Sequence, residues 1–171
     1  MSIKFPLACS TWDQKEIKAM HDVIDSGVFT MGEKVSEFER QFAKYVGSKY
    51  CVMVNSGSSA NLLMVAALFY RKNNYISRGD EVIVPAVSWG TSYFPLYQYG
   101  LKLRFVDIDL ETLNYDLELL EEAITSSTKA ILAVNLLGNP NDYTKINKII
   151  GGRNIILIED AAESLGSYYK N

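Results

Sequence analysis

The sequence has little of what builds disulfide-linked, metal-binding or disordered proteins. Its two cysteines, Cys9 and Cys51, lie far apart without a CxxC spacing, so neither a disulfide framework nor a zinc site is indicated. Four prolines and eleven glycines among 171 residues are too few for a fibrous or disordered chain. The single histidine, His21, falls within a predicted helix, where we expect a surface residue rather than a metal ligand.

An excess of one charge and long apolar runs are also missing. Seventeen basic against twenty acidic residues give a net charge of -3 without a basic run, which disfavours nucleic acid and anionic membranes as partners. No apolar stretch reaches the roughly 18 residues of a transmembrane helix, and the first residues do not resemble a secretory signal. We therefore expect a soluble, cytoplasmic, globular chain with a sizeable core.

What the sequence does contain is a regular alternation of helical and extended patterns. Two amphipathic helices come first: one capped by Thr11 with Gln14 and ended by Gly27, the other over about 32–46. Apolar runs suited to buried strands then alternate with helices; the runs are 50–54, 81–85, 102–108, 129–137 and 154–160. This alternation predicts an α/β fold with a mostly parallel sheet flanked by helices.

The ends of two predicted strands carry candidate binding residues, since ligands of such sheets bind beyond the carboxyl ends of the strands. After the run 50–54, Gly57 permits a tight turn, and Ser58 and Ser59 can cap a helix that attracts an anion such as phosphate. An ordinary serine-capped turn explains that spacing equally well. Trp89 follows the next run and is either a core or interface aromatic or an indole that stacks on a flat ring.

Carboxylates follow two further strands. Asp160 closes the last apolar run, and Glu163 follows it. A carboxylate there is partly desolvated and needs a cationic or hydrogen-bonding partner. A helix cap, a structural ion pair and a metal pair with Glu159 are the alternatives, although no histidine accompanies these acids. Asp107 and Asp109 resemble a DxD metal motif, but we favour the interpretation that they end a strand and cap the next turn.

Together, these features predict one kind of ligand. An anion-binding turn, a stacking aromatic and a strand-end carboxylate match a phosphate, a planar ring and a ring nitrogen that must stay protonated. Pyridoxal 5′-phosphate (PLP) has all three. An anionic aspartate beside the pyridine nitrogen raises the pKa of that nitrogen, so that the ring remains an electron sink.

Several segments resemble the DegT/DnrJ/StrS family of PLP-dependent nucleotide-sugar aminotransferases. They are SGVFTMGEKVSEFERQFAKYVGSKY (26–50), VNSGSSANLL (54–63) and EDAAESLGS (159–167). The resemblance implies the aspartate aminotransferase (type I) fold. In that fold, residues 1–48 would form an amino-terminal helical segment, and 49–171 the first part of an incomplete PLP-binding large domain.

The same resemblance implies roles for six residues, and we predict no metal site. Gly57, Ser58 and Ser59 would hold the cofactor phosphate. Trp89 would stack on the ring, while Asp160 pairs with the pyridine nitrogen and Glu163 approaches the ring hydroxyl. The catalytic lysine or histidine of the family would lie beyond residue 171. We therefore assign no catalytic residue within the chain and expect the chain to be inactive alone.

Two branches of the family remain open. The segment NLLGNP (135–140) stands where most of the aminotransferases have a histidine-containing HxxG, and it favours a dehydratase branch. That branch removes the 3-hydroxyl of a GDP-4-keto-6-deoxy sugar in O-antigen and lipopolysaccharide biosynthesis, with pyridoxamine 5′-phosphate made from PLP and glutamate. In contrast, EDAAES (159–164) is typical of aminotransferases that make 3- or 4-amino sugars.

Both branches imply a nucleotide-linked keto-deoxy sugar as substrate, glutamate as amino donor and a homodimer. A third possibility, from a different class, is an inactive binding module that kept the first half of the fold.

Overall fold

The computed structural model describes residues 10–72 and 76–169. The chain divides into two compact units, residues 1–53 and 54–171. In their described parts, the first unit consists of two helices, and the second contains a parallel sheet with helices between its strands. No helix of the described ranges is long and apolar enough to cross a membrane.

The first unit contains helices α1 (Gln14–Ser26) and α2 (Glu33–Tyr45). The predicted cap of α1 at Thr11 and Gln14 is wrong, because Asp13 and Glu16 form the capping box. The Asp13 carboxylate accepts from the Lys15 N–H at 2.6 Å, and the Asp13 N–H donates to Glu16 at 2.7 Å. This pair satisfies the N–H groups of Asp13 and Lys15 at the start of the helix, so the helix begins after Asp13.

The left-handed Gly27, with a φ of 66°, ends α1 as predicted. His21 is exposed on this helix, in agreement with its expected place at the surface.

The predicted strand at 50–54 is wrong. Tyr50 and Val52 are 75% and 64% exposed, and no strand of the described residues pairs with this segment. Instead, the N–H of Met53 donates to the carboxylate of Glu39 at 2.8 Å. An apolar run becomes a strand only where a neighbouring strand satisfies its backbone groups, and the described residues supply none here.

The second unit alternates helices and strands along the chain. Its elements are α3 (Gly57–Phe69), β1 (Glu81–Pro85), α4 (Gly90–Gln98), β2 (Lys102–Val106), α5 (Leu117–Ala123), β3 (Thr128–Val134), α6 (Tyr143–Ile150) and β4 (Ile156–Asp160). The four strands pair in parallel, in the order β2-β1-β3-β4. The predicted α/β pattern of parallel strands and intervening helices is therefore confirmed for this unit.

The sheet has an apolar core on each face, because successive side chains of a strand point to opposite sides. On one face, Val82 and Val84 of β1 lie in a core with Val65 of α3 and Leu96 of α4. On the other face, Ile83 lies in a core with residues of α5 and α6. With both faces covered, the carboxyl ends of the strands are the open side of the sheet.

Candidate functional site

Asp160 lies at the carboxyl end of β4 and is only 7% exposed. Its Oδ2 accepts hydrogen bonds from Asn61 Nδ2 at 2.9 Å and from Ser92 Oγ at 2.8 Å. Its Oδ1 accepts from the N–H of Ala162 at 3.2 Å. All three donors are neutral, and no described residue forms an ion pair with this carboxylate. The structure thus holds a buried acid whose negative charge no described side chain compensates.

The start of α3 carries the predicted phosphate-binding residues, with one correction. Ser56 is the cap of this helix, not Ser58 or Ser59, because its Oγ accepts from the N–H of Ser59 at 3.2 Å. No described group binds the N–H of Gly57 or Ser58, as is usual in the first turn of a helix. Two amides and the positive end of the helix dipole are therefore available to an anion.

The glycine at this helix start does not make the predicted tight turn. Gly57 has no positive φ, so its backbone conformation is open to other residues. A Cβ at this position would have nothing within 4 Å. Neither the backbone conformation nor the packing of the described residues therefore requires glycine at this position.

Trp89 immediately precedes α4 and is 76% exposed, so it is not a core residue of the described structure. Its carbonyl accepts from the N–H of Ser92 at 3.0 Å, which places Ser92 one turn into the helix. The interface and ring-stacking interpretations of the indole both remain consistent with its exposure.

Glu163 lies in the turn after β4 and binds a strained segment. Its Oε2 accepts from the N–H of Leu137 at 2.6 Å. Leu137 has a φ of 54°, which is uncommon for a residue other than glycine, and Gly138 follows with a φ of 83°. A Cβ on Gly138 would lie 3.1 Å from the carbonyl oxygen of Glu163. The turn and this segment are therefore closely packed, and Glu163 bonds to Leu137 rather than to the donors of Asp160.

Asn135, for which the sequence resemblance predicts a departure from a histidine-containing pattern, lies at the centre of a polar network and is itself buried. Its Nδ2 donates to Glu159 at 2.7 Å and to Ser164 at 3.1 Å. Its Oδ1 accepts from the side chains of Asn141 at 3.0 Å and Tyr143 at 2.7 Å. Burial, with the negative charge of Glu159, raises the pKa of Tyr143 well above its usual range, so the phenol remains a neutral donor.

Asp107 and Asp109 bind their own turn, which confirms the preferred interpretation of the DxD pattern. The Oδ1 of Asp109 accepts from the N–H groups of Glu111 and Thr112 at 3.0 and 2.8 Å, and from the Thr112 hydroxyl at 3.0 Å. The Asp107 carboxylate accepts from the adjacent N–H of Ile108. Across the described ranges, no cluster of three or more histidine, cysteine and acidic side chains could hold a metal ion.

Sequence reasoning missed Asn61 and Ser92, which the fold brings to Asp160 from 99 and 68 residues away. Asn61 gave one usable signal, since it is the lone polar side chain in the apolar stretch from Ala60 to Phe69 of α3. Ser92 gave none beyond its position one turn after Trp89. The structure thus brings together Asp160, Asn61 of α3 and Ser92 of α4.

Comparison with known proteins identifies the family. The profile described as the DegT/DnrJ/EryC1/StrS aminotransferase family matches residues 10–171. The chain belongs to this family. The family resemblance seen in the sequence is therefore confirmed.

Two relatives represent the two branches. The chain is 64% identical over 169 residues to a GDP-4-keto-6-deoxy-D-mannose 3-dehydratase of Escherichia coli O55:H7, covering 99% of this chain and 44% of that protein. It is 41% identical over 157 residues to a dTDP-3-amino-3,6-dideoxy-alpha-D-galactopyranose transaminase of Aneurinibacillus thermoaerophilus, covering 91% and 42%. The chain thus spans less than half the length of these curated relatives.

A solved structure shares the fold. It is a GDP-4-keto-6-deoxymannose-3-dehydratase with a trapped PLP-glutamate geminal diamine. The TM-score is 0.95 at 64% identity, over 98% of this chain and 44% of that one. The predicted fold class, that of the PLP-dependent transferases with part of the large domain present, is confirmed.

Proposed function

We propose that this chain contributes part of the cofactor site of an enzyme that removes the 3-hydroxyl of a GDP-4-keto-6-deoxy sugar, using PLP and pyridoxamine 5′-phosphate. The observation that carries this proposal is the 64% identity, over 99% of the chain, to a protein named for that activity. The identity to the transaminase is much lower, at 41%. Asn135 in place of the family histidine agrees with the same branch.

The residues fit the cofactor in two independent respects. Asp160 is a buried carboxylate whose donors among the described residues are all neutral, which suits a protonated ring nitrogen as its charged partner. At the start of α3, the N–H groups of Gly57 and Ser58 have no partner among the described residues and belong to a helix end that attracts anions. When bound, the cofactor supplies an electron-withdrawing ring that stabilises negative charge on a reacting carbon.

Each remaining residue has a defined task in this proposal. Asp160 would hold a proton on the ring nitrogen, and Ser59 would add its hydroxyl to the amides that hold the phosphate. Trp89 would stack on the ring and exclude water from it. Glu163 would hold the ring hydroxyl, sharing its carboxylate with the N–H of Leu137.

A sugar aminotransferase that makes a 3- or 4-amino sugar is the second candidate. Two observations favour it: the EDAAES segment at 159–164 and the similarity to the transaminase. In either branch, glutamate as amino donor, the homodimer and the cytoplasmic location remain predictions, as does the absence of activity in the chain by itself.

One assay separates the candidates. The full-length protein is supplied with PLP, glutamate and a GDP-4-keto-6-deoxy sugar, and the products are identified by mass spectrometry together with an ammonia assay. Ammonia release with a 3-deoxy sugar is the expected result. An amino sugar as the sole product would overturn the dehydratase proposal in favour of the aminotransferase. A protein that neither binds PLP nor reacts would instead support the inactive binding module.

A further inference from the structure

We propose that Asn61 and Ser92 are positioning residues, which orient the Asp160 carboxylate for the cofactor ring nitrogen. This role rests on the proposed function, since it presumes that a PLP-type cofactor binds at Asp160. Neither residue needs to contact the substrate or the reacting atoms. Both residues act on the cofactor by binding Oδ2 of the buried Asp160 carboxylate.

The hydrogen bonds to Asp160 define the orientation of its carboxylate. Two donors meet at Oδ2, at 2.9 Å from Asn61 and 2.8 Å from Ser92, while Oδ1 has a single, longer bond of 3.2 Å to Ala162. A carboxylate bound at both oxygens cannot rotate without breaking a bond. Because Asp160 and Ser92 are both buried, water cannot readily replace a donor that is lost.

The two donors come from the helices that carry the other parts of the candidate site. Asn61 is one turn after Gly57 in α3, and Ser92 is three residues after Trp89 at the start of α4. Asn61 also donates to the carbonyl of Thr91 at 3.4 Å, which joins the two helices directly. The phosphate-binding turn, the exposed indole and the ring-nitrogen acid are therefore linked at the Asp160 side chain.

The chemical type of the donors also points to the cofactor. A lysine or arginine beside Asp160 would hold the carboxylate as firmly and would compensate its charge. Asn61 and Ser92 hold it with neutral groups, so its charge stays available to a protonated ring nitrogen. Neutral donors leave the buried charge without compensation from the described residues, and a ligand that carries a cation would supply that compensation.

The test measures PLP binding by the full-length protein and its Asn61→Ala and Ser92→Ala variants. We expect each variant to bind PLP roughly tenfold more weakly, which is the scale of one hydrogen bond to a charged group. At saturating PLP, we also expect a reduced visible circular dichroism of the bound cofactor, because that signal depends on a fixed ring orientation. A purely structural role would lower the melting temperature and leave the signal at saturation unchanged.

Matched controls separate packing from positioning. Asn147→Ala and Ser126→Ala make the same changes at exposed positions, and they should leave PLP binding unaltered. If Asn61→Ala fails to fold, Asn61→Leu fills a similar volume without the donor and should give the same loss of binding.

A double-mutant cycle with Asp160→Asn distinguishes a failure of the positioning role from a failure of the proposed function. Because Asn61 acts through Asp160, its substitution should have little further effect on PLP binding once Asp160 is an amide. If Asn61→Ala weakens PLP binding equally in both backgrounds, or does not weaken it at all, the positioning role is overturned. If Asp160→Asn itself leaves PLP binding unchanged, the proposed function fails as well.

Discussion

Asp160 is the last residue of one strand of the parallel sheet and Asp109 comes shortly after another, yet the surroundings of the two carboxylates differ. The carboxylate of Asp160 is buried and bound by side chains 99 and 68 residues away. The carboxylate of Asp109 is bound by groups two and three residues further along its own turn. One acid therefore depends on the assembly of three elements, whereas the other shapes a local turn.

The comparison shows why an acid after an apolar strand is an ambiguous signal. Both sites satisfy their carboxylates with neutral donors, so hydrogen bonding alone does not distinguish them. Burial does, because a desolvated charge needs a counter-charge and an exposed one has water. Of these two acids, Asp160 is the one that combines burial with donors from other elements, and this combination supports the role proposed for it.

The largest expected effect comes from making the same substitution at both acids. Asp160→Asn should lower kcat/KM of the full-length enzyme by roughly 100-fold or more, because a neutral amide no longer stabilises the protonated ring nitrogen. Asp109→Asn should leave kcat/KM unchanged. Steady-state kinetics with saturating PLP would reveal this difference, and equal effects at the two positions would remove the distinction between them.

Asn135, which follows β3, allows the comparison of polar groups at strand ends to include their effect on stability. Asn135→Ala should destabilise the chain by roughly 2–3 kcal/mol, because it removes a buried hydrogen-bond partner of Tyr143, Asn141 and Glu159 at once. Urea unfolding measures the change in the free energy of unfolding. A loss below about 0.5 kcal/mol would mean that water enters the network and replaces Asn135.

The local turn should respond much less. Thr112→Val removes the hydroxyl that binds Asp109 while keeping the shape of the side chain. We expect the melting temperature to fall by no more than about 2 °C, as for ordinary surface substitutions. A larger drop in a thermal scan would show that the Asp109 turn is needed for the sheet as well as for its own loop.

The smallest expected effect is the pH dependence of the Asp109 turn. Hydrogen bonds, chiefly from the Thr112 N–H, lower the pKa of Asp109 below its usual value of 3.8. The ionised form is therefore favoured by folding, and this stabilisation is complete above that value and is lost as the pH falls through the lower, folded-state pKa. The difference in melting temperature between the wild type and Asp109→Asn should be constant at neutral pH and shrink only below about pH 4. A difference that already shrinks near neutral pH would contradict this assignment.

Much of the fold could be predicted because its signals are local. The end of α1 at Gly27 could be predicted because glycine adopts the left-handed conformation of a helix end without strain. The parallel strands follow from short apolar runs between amphipathic helices. The same reasoning failed at 50–54, because an apolar run does not specify which strand will pair with it.

The candidate site was predictable only in part. Asp160, Trp89 and Gly57 stand out because they follow strands or begin helices. Asn61 and Ser92 do not, since their importance lies in which carboxylate they reach. The family resemblance supplied roles for residues on the motif and none for these donors.

The sequence by itself determined the alternation of helices and strands, the family and the acid at the end of β4. These depend on spacing, capping and side-chain polarity, which each segment carries without its neighbours. The tertiary structure alone decided that Asp160 is held by Asn61 and Ser92, while Asp109 binds only its own turn. Hydrogen bonds act over about 3 Å, and which donors come that close depends on how the helices pack against the sheet.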